Sequence, residues 1–120
     1  MKVFISILAL ITVFFADVGD DIATHLKHGT YQEIYKYLDE KVVIKIADKE
    51  DLLSKEQCQA NLNYFFEKNN LKNFSLIQNT MLNANAQFIY GIADAGSSKY
   101  KISFLIKKSL IVQIRIEYYE

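Results

Sequence analysis

The 120-residue chain contains no proline and no tryptophan, and its one cysteine is Cys58. A single cysteine excludes an internal disulfide, so a stable domain must depend on its hydrophobic core. Neither a proline-rich nor a low-complexity tract divides the chain, and its length suffices for one domain but not for two. The sequence therefore predicts a single compact domain.

The chain also has no excess of charge, because 14 Lys and Arg residues balance 14 Asp and Glu residues. Its lysines are scattered along the sequence and form no basic stripe. A nucleic-acid-binding protein normally carries a basic surplus or a basic patch. The charge pattern thus predicts no nucleic-acid partner.

Apolar residues are abundant by contrast. About half of the chain is hydrophobic at 51%, and eight Phe and eight Tyr contribute large side chains. A chain of this composition can bury a substantial core, which excludes an intrinsically disordered protein.

The first 16 residues have the pattern of a signal peptide. Lys2 supplies a positive charge, residues 3–15 are apolar apart from one Ser and one Thr, and Ala16 is a small residue at the expected cleavage position. Such a run is shorter than the roughly 20 residues that span a bilayer. We therefore expect a cleaved leader over 1–16 and an exported domain over 17–120, periplasmic or extracellular, with no stable membrane span; an uncleaved anchor or a buried helix is the alternative.

Two helices are predicted at the start of this domain. Asp20 or Asp21 can cap the first helix, and Gly29 can end it in a left-handed conformation. Thr30 and Glu33 have the spacing of a capping box, which predicts that a second helix starts there.

A short β-branched run over residues 42–46 predicts a strand, and the acidic stretch over residues 48–51 predicts a connection. Ser54 and Gln57 form a second capping box ahead of a third helix. Residues 69–70, both Asn, can end this helix because Asn tolerates a left-handed conformation.

The second half of the chain predicts strands. Apolar and polar residues alternate through residues 74–79, 100–107 and 110–118, and residues 87–93 form a further predicted strand, with turn residues between the segments. Consecutive strands with short connections favour an antiparallel meander that is buried on one face. The predicted fold is α+β: three N-terminal helices, with one short strand between them, packed on a mainly antiparallel sheet.

This order of elements resembles the nuclear transport factor 2-like fold, also called cystatin-like or SnoaL-like. Within it, the leader and four segments, residues 20–22, 54–57, 65–66 and 113–117, resemble an exported bacterial family, domain-of-unknown-function family 4783. The resemblance covers nearly the whole mature chain. It implies a curved sheet that wraps around helices as a cone, often with a pocket at its open end, and it implies no particular reaction.

The leading functional hypothesis is a non-catalytic binding or interaction module. A small apolar ligand would lie between helices and sheet, because aromatic residues of the apolar faces can line such a pocket. The candidates for this lining are Tyr35, Phe65, Tyr90 and Tyr100.

A protein partner, or a second copy in a structural homodimer, would instead use the polar face of the sheet. Gln113 and Arg115 share that face on the last strand, and Lys101 lies on the neighbouring strand opposite Glu117. Arg is favoured at interfaces, although these side chains can equally form cross-strand pairs on the surface.

A small pocket enzyme of the isomerase or dehydratase type is the rival hypothesis. It needs a carboxylate beside a tyrosine in an apolar pocket, and no acid falls within an apolar strand face. No catalytic residue, cofactor or metal is therefore predicted. A metal site is not predicted on the first helix, because Asp21, His25 and His28 share one face there without a fourth ligand. The acids of residues 48–51 lack the pattern of a calcium-binding loop. Cys58 belongs to an apolar helix face, where packing is its expected role.

Overall fold

A computed structural model describes residues 17–119 of the chain. The predicted leader over residues 1–16 lies outside the described residues. Of the helices within residues 17–119, none combines the length and the hydrophobicity that crossing a membrane requires.

Helix α1 spans Val18–His28 and packs against the sheet through its apolar face. Asp17 is its N-cap, three residues before the earliest predicted position, and the Asp17 carboxylate accepts a hydrogen bond from the Gly19 amide at 3.0 Å. The helix ends at Gly29, whose φ of 77° confirms the predicted left-handed cap. The prediction of the start was wrong because Asp20 and Asp21 belong to the first turn, where the helix dipole favours acids.

The second predicted α-helix is a 3-10 helix over Tyr31–Tyr37. Thr30 makes no side-chain hydrogen bond to it, so the predicted capping box with Glu33 does not form. Ile34 and Tyr35 are buried. An apolar pattern spaced by three and four residues suits either kind of helix over so short a span, and the tighter helix forms here.

The single predicted strand is a hairpin. Strand β1 spans Leu38–Ile46, and strand β2 spans Lys49–Ser54 and pairs with it in antiparallel register. Ala47 has a φ of 54° at the tight turn between them. The acidic stretch of residues 48–51 is therefore part of this hairpin, and two strands separate the helices where one was expected.

Helix α2 spans Lys55–Asn69 and begins as predicted. Ser54 accepts a hydrogen bond from the Gln57 amide at 3.2 Å, and the Gln57 side chain accepts one from the Ser54 amide at 3.1 Å, which confirms the capping box. Asn70 ends the helix with a φ of 48°, as residues of this type were expected to do.

Four strands complete the fold as an antiparallel meander: β3 over Lys72–Asn83, β4 over Ala86–Ala95, β5 over Ser98–Lys107 and β6 over Leu110–Tyr118. The six strands form one sheet in the order β2-β1-β6-β5-β4-β3. Strands β1 and β6 pair in parallel, so the sheet is mixed. The α+β prediction is confirmed, while the order of helices and strands before β3 was wrong in the ways described above.

The helices cover one side of the curved sheet, which we call the inner face. Helix α1 lies on β3 and β4, and α2 lies on β1 and β2. The inner face carries the buried apolar side chains of β4 and β5, and these join the helices in one continuous apolar cluster. The fully buried members on β4, β5 and β6 include Ile89, Ile102, Phe104, Ile114 and Ile116. The opposite side, the outer face, carries Tyr90, Lys101, Ser103 and Arg115.

At Gly91 on β4, the Phe74 ring of β3 lies close against the β4 backbone. A methyl group at this position would collide with the Phe74 ring and with the Ser75 carbonyl oxygen. The absence of a side chain therefore allows Phe74 of β3 to lie across β4 and join the core.

Candidate functional site

The structure brings two of the four predicted pocket residues together. Phe65 on α2 and Tyr100 on β5 meet edge to face, with ring centroids 5.2 Å apart. Tyr35 is buried elsewhere, where its hydroxyl donates to Asn63 Oδ1 at 2.6 Å. Burial, reinforced by Cys58 and Glu67, raises the pKa of Tyr35 to about 12.

The fourth predicted residue, Tyr90, lies on the outer face and is separated from the others by the sheet. Its ring is 6.2 Å from that of Phe88, and the Lys101 ammonium sits 4.5 Å from its centroid. The alternation of β4 explains this position, because Ile89 and Gly91 on either side of it point to the inner face.

Phe65 and Tyr100 form the base of an open groove between α2 and one end of the sheet, with a volume of about 380 Å³. We call it the aromatic groove. The helix contributes one stripe of its C-terminal half. The sheet contributes the C-terminal ends of β1 and β6 and the N-terminal ends of β2 and β5. The lining comprises Asn61, Tyr64, Phe65, Lys68 and Asn69 from α2, and Ile46, Lys49, Tyr100 and Tyr118 from the strands.

The helical stripe is visible in the sequence once the boundaries of α2 are known. Asn61, Tyr64, Phe65, Lys68 and Asn69 are spaced as i, i+3, i+4, i+7 and i+8, which places them along one side of a helix. Only Phe65 of this set belongs to the buried face of α2. Sequence reasoning followed the buried face and so missed the groove beside it.

Four aromatic rings line the groove, and two of them are largely open to solvent. Tyr64 is 67% exposed and Tyr118 is 64% exposed. Tyr118 stacks on Tyr100 with centroids 4.9 Å apart, which extends the buried contact with Phe65 outward to the surface. Exposed aromatic surface of this kind is costly in water and is a common feature of binding sites.

The ionisable groups of the groove are two lysines and three tyrosines, and none of its nine lining residues is acidic. The Lys68 ammonium lies 5.6 Å from the centroid of Tyr64. Burial, together with the neighbouring Tyr118, raises the pKa of Tyr100 to about 12. The groove lining therefore carries two basic side chains and no acidic one, beside four aromatic rings.

The three predicted interface residues share the outer face. Lys101 is opposite Glu117 in the register of β5 and β6, as expected, but the Glu117 carboxylate lies 3.4 Å from Arg115 Nε instead. Arg115 Nε is buried and has no hydrogen-bond partner among the described residues. Gln113 and Arg115 border a shallow depression of about 180 Å³ that Phe88, Ser103 and Leu105 complete.

A polar network that the sequence did not reveal fixes α1 to the sheet. The Gln87 amide on β4 donates to Asp17 Oδ1 at 2.5 Å and to Asn79 Oδ1 at 2.7 Å. Asn79 on β3 in turn donates to Asp17 and Asp20 at 2.8 and 2.9 Å. Gln87 is only 5% exposed, so the network joins the N-cap of α1 to two strands at a buried position.

One carboxylate does lie beside a tyrosine, at the surface between α1 and the 3-10 helix. The Tyr37 hydroxyl donates to Asp21, and His25 Nε2 is 3.7 Å from the same carboxylate. The Asp21 side chain is 36% exposed, and neither it nor Tyr37 lines the aromatic groove. Within residues 17–119, no three His, Cys, Asp or Glu side chains come together as a group that could hold a metal ion.

Comparison with known proteins confirms the resemblance. The family model described as "Domain of unknown function (DUF4783)" matches residues 19–117. No functionally curated protein matches the chain.

Solved structures share the fold at low sequence identity. A DUF4783 family protein from Bacteroides uniformis is 22% identical, with 87% of this chain and 99% of that chain covered and a TM-score of 0.79. An NTF2-like protein from Anabaena variabilis is 14% identical, with 88% and 92% covered and a TM-score of 0.61. A candidate polyketide cyclase from Sinorhizobium meliloti is 10% identical, with 88% and 97% covered and a TM-score of 0.63. The chain belongs to the DUF4783 family and has an NTF2-like α+β fold.

Proposed function

We propose that this protein is an exported, non-catalytic binding module that holds a small ligand in the aromatic groove. The observation that carries the proposal is the continuous row of rings from buried Phe65 through Tyr100 to exposed Tyr118. These rings offer a planar apolar ligand a preformed surface, and Tyr64 offers a second ring on the helix side. Binding there would remove exposed aromatic surface from water.

The groove does not have the composition of an acid–base catalyst. An isomerase or dehydratase needs a carboxylate within hydrogen-bond reach of its bound substrate, and the groove lining contains none. A carboxylate does lie beside a tyrosine where Asp21 contacts Tyr37, but this pair is on a different part of the surface. The small pocket enzyme is thus the weaker proposal, and the likeness to a candidate polyketide cyclase concerns the fold alone.

A specific observation favours a second function, which is a protein interface on the outer face. The Arg115 side chain is 42% exposed, and its Nε lies 3.4 Å from the Glu117 carboxylate without forming a hydrogen bond. A carboxylate or backbone carbonyl of a partner protein, or of a second copy, would accept hydrogen bonds from the Arg115 guanidinium. The depression beside Arg115 and Gln113 would receive an apolar side chain of that partner.

Native mass spectrometry of the protein purified from the organism that makes it separates these proposals. A monomer with extra mass, lost on denaturation, is the expected result for the binding module. The variant Tyr64→Ser/Tyr118→Ser should lack that mass, since both rings line the groove and both are exposed enough to be replaced without loss of the core.

A dimer without extra mass would support the outer-face interface and contradict the ligand proposal. In that case Arg115→Ala should produce monomers, whereas Lys41→Ala, at an exposed position on β1, should not. Turnover of a retained compound by the purified protein would support the enzyme.

A further inference from the structure

We infer that the ligand of the aromatic groove is an organic anion, with a planar apolar body and a carboxylate or similar acidic group. This inference rests on the function proposed above and specifies the chemistry of its ligand. It starts from the charges around the groove. Two of its nine lining residues are lysines and none is an acid.

The two ammonium groups reach the groove from different elements. Lys49 begins β2, next to the turn that follows β1, and Lys68 lies in the last turn of α2. Among residues 17–119 neither lysine forms an ion pair. A ligand anion would therefore meet cations that no protein carboxylate neutralises by direct contact.

None of the acids that neighbour these lysines in the sequence lines the groove. Glu50 faces the outer side of the hairpin, in register with Lys45. Glu67 lines a different depression, beside Thr30 and Asn63. Asp51 shares the face of β2 that carries Lys49, two residues farther along, and is not part of the groove lining. The positive charge of the groove is thus local, although the whole chain is neutral.

The asparagine side chains of the groove supply no charge for binding an anion. The Asn61 amide donates to the Gln57 carbonyl at 3.0 Å, and the Asn69 amide donates to the Phe65 carbonyl at 2.9 Å. One N–H of each amide is therefore engaged with the backbone of α2. The cationic groups of the groove are the two ammonium groups, and together with the aromatic faces and the tyrosine hydroxyls they fit an anion attached to a ring.

A pair of fluorescent probes tests the charge directly. Anilinonaphthalene sulfonate is an anion, and N-phenylnaphthylamine has the same rings without the sulfonate. We expect the purified protein to bind the anionic probe more tightly than the neutral one, and salt at roughly 0.5 M should remove most of the difference because it screens exposed charges.

Lysine variants then locate the charge. Each exposed lysine–anion contact contributes a factor of about two to five in affinity, so Lys49→Gln/Lys68→Gln should bind the sulfonate about tenfold more weakly. Its affinity for the neutral probe should stay within about twofold, because the rings are untouched. The matched control Lys41→Gln/Lys107→Gln makes the same change in net charge at exposed positions outside the groove, and it should bind both probes as the wild type does.

The outcomes distinguish the two levels of the proposal. If both probes bind equally well, and Tyr64→Ser/Tyr118→Ser weakens both while the groove lysines have no effect, the groove is a ligand site and the inference of an anion is overturned. If neither probe binds, or if the tyrosine variant binds both unchanged, the proposed function itself fails.

Discussion

Replacing Gln87 by Glu tests how α1 is held on the sheet. The substitution keeps the size and shape of the side chain and converts its donating NH₂ group into a carboxylate oxygen. The Gln87 amide donates to the Asp17 carboxylate at 2.5 Å and to Asn79 Oδ1 at 2.7 Å, and both hydrogen bonds are lost at neutral pH. The new carboxylate also lies beside the carboxylate of Asp17.

The size of the effect follows from these contacts. A hydrogen bond to a charged group contributes about 1.5–3 kcal/mol and a neutral one about 1 kcal/mol, so Gln87→Glu should reduce the free energy of unfolding by about 3 kcal/mol. That is a large part of the roughly 5–15 kcal/mol that stabilises a domain. We expect the free energy of both hydrogen bonds to be lost, because Gln87 is buried and water cannot take the place of its amide group there.

The loss should also depend on pH in a defined direction. A buried Glu beside Asp17 has its pKa raised above the ordinary value of about 4.3, because both burial and a like charge disfavour ionisation. The deficit relative to wild type is therefore complete above that raised pKa and shrinks as the pH falls through it, when the acid regains a proton to donate.

Urea unfolding of wild type and variants at pH 7 and at about pH 4.5 measures both effects. Gln78→Glu is the matched control, because it makes the same substitution at an exposed site on β3. It should lower the free energy of unfolding by no more than about 0.5 kcal/mol. The reasoning is refuted if the two variants lose the same stability at pH 7, or if the Gln87→Glu deficit does not decrease in acid.

Three further predictions concern the core. Gly91→Ala should destabilise the protein by about 1–3 kcal/mol in urea unfolding, because its methyl group meets the Phe74 ring and the Ser75 carbonyl; a cost near zero would contradict that contact. Leu62→Ala should cost about 2–5 kcal/mol, since Leu62 is fully buried on α2, and an unchanged unfolding midpoint would show that α2 is not packed as described. Burial raises the pKa of Cys58 to about 11 from 9.0, so the unfolded state loses this proton first, and stability should fall as the pH rises from about 9 towards 11; Cys58→Ala should show a shallower fall, because the buried tyrosines with raised pKa values still contribute, and an equal fall in both proteins would contradict this.

The sequence was most informative where local rules decide the structure. The capping box at Ser54 and Gln57 and the left-handed cap at Gly29 depend on residues within a few positions of one another, and both form as expected. The meander of β3 to β6 follows from consecutive strands with short turns between them, and the alternation is clearest in β5 and β6.

The sequence was least informative where tertiary contacts decide. Strand β2 is short, highly charged and at the edge of the sheet, so its β structure depends on pairing with β1 rather than on its own composition. The parallel pairing of β1 with β6 joins segments about 70 residues apart, which no local pattern records. The network around Gln87 likewise joins α1 to β3 and β4, and a lone Gln in an apolar strand gives no sign of it.

The candidate site was only half predictable. Phe65 and Tyr100 were expected to line a pocket and do meet at the base of the aromatic groove. Tyr90 could not be assigned to the correct face, because a strand with few polar residues on either side, such as β4, leaves the inner and outer faces ambiguous. Lys49 belongs to the groove only because β2 exists, so it could not be placed before the hairpin was known.

Amide NMR spectra recorded during titration with the anionic probe test the central claim most directly, because they report where on the protein a ligand binds. We predict that the shifted resonances cluster on the two sides of the groove. One group lies on α2 around Tyr64 and Lys68, and the other lies on the strands around Lys49, Tyr100 and Tyr118. Shifts that cluster instead around Gln113 and Arg115 on the outer face, or that spread without a site, would contradict the assignment of the aromatic groove as the ligand-binding site.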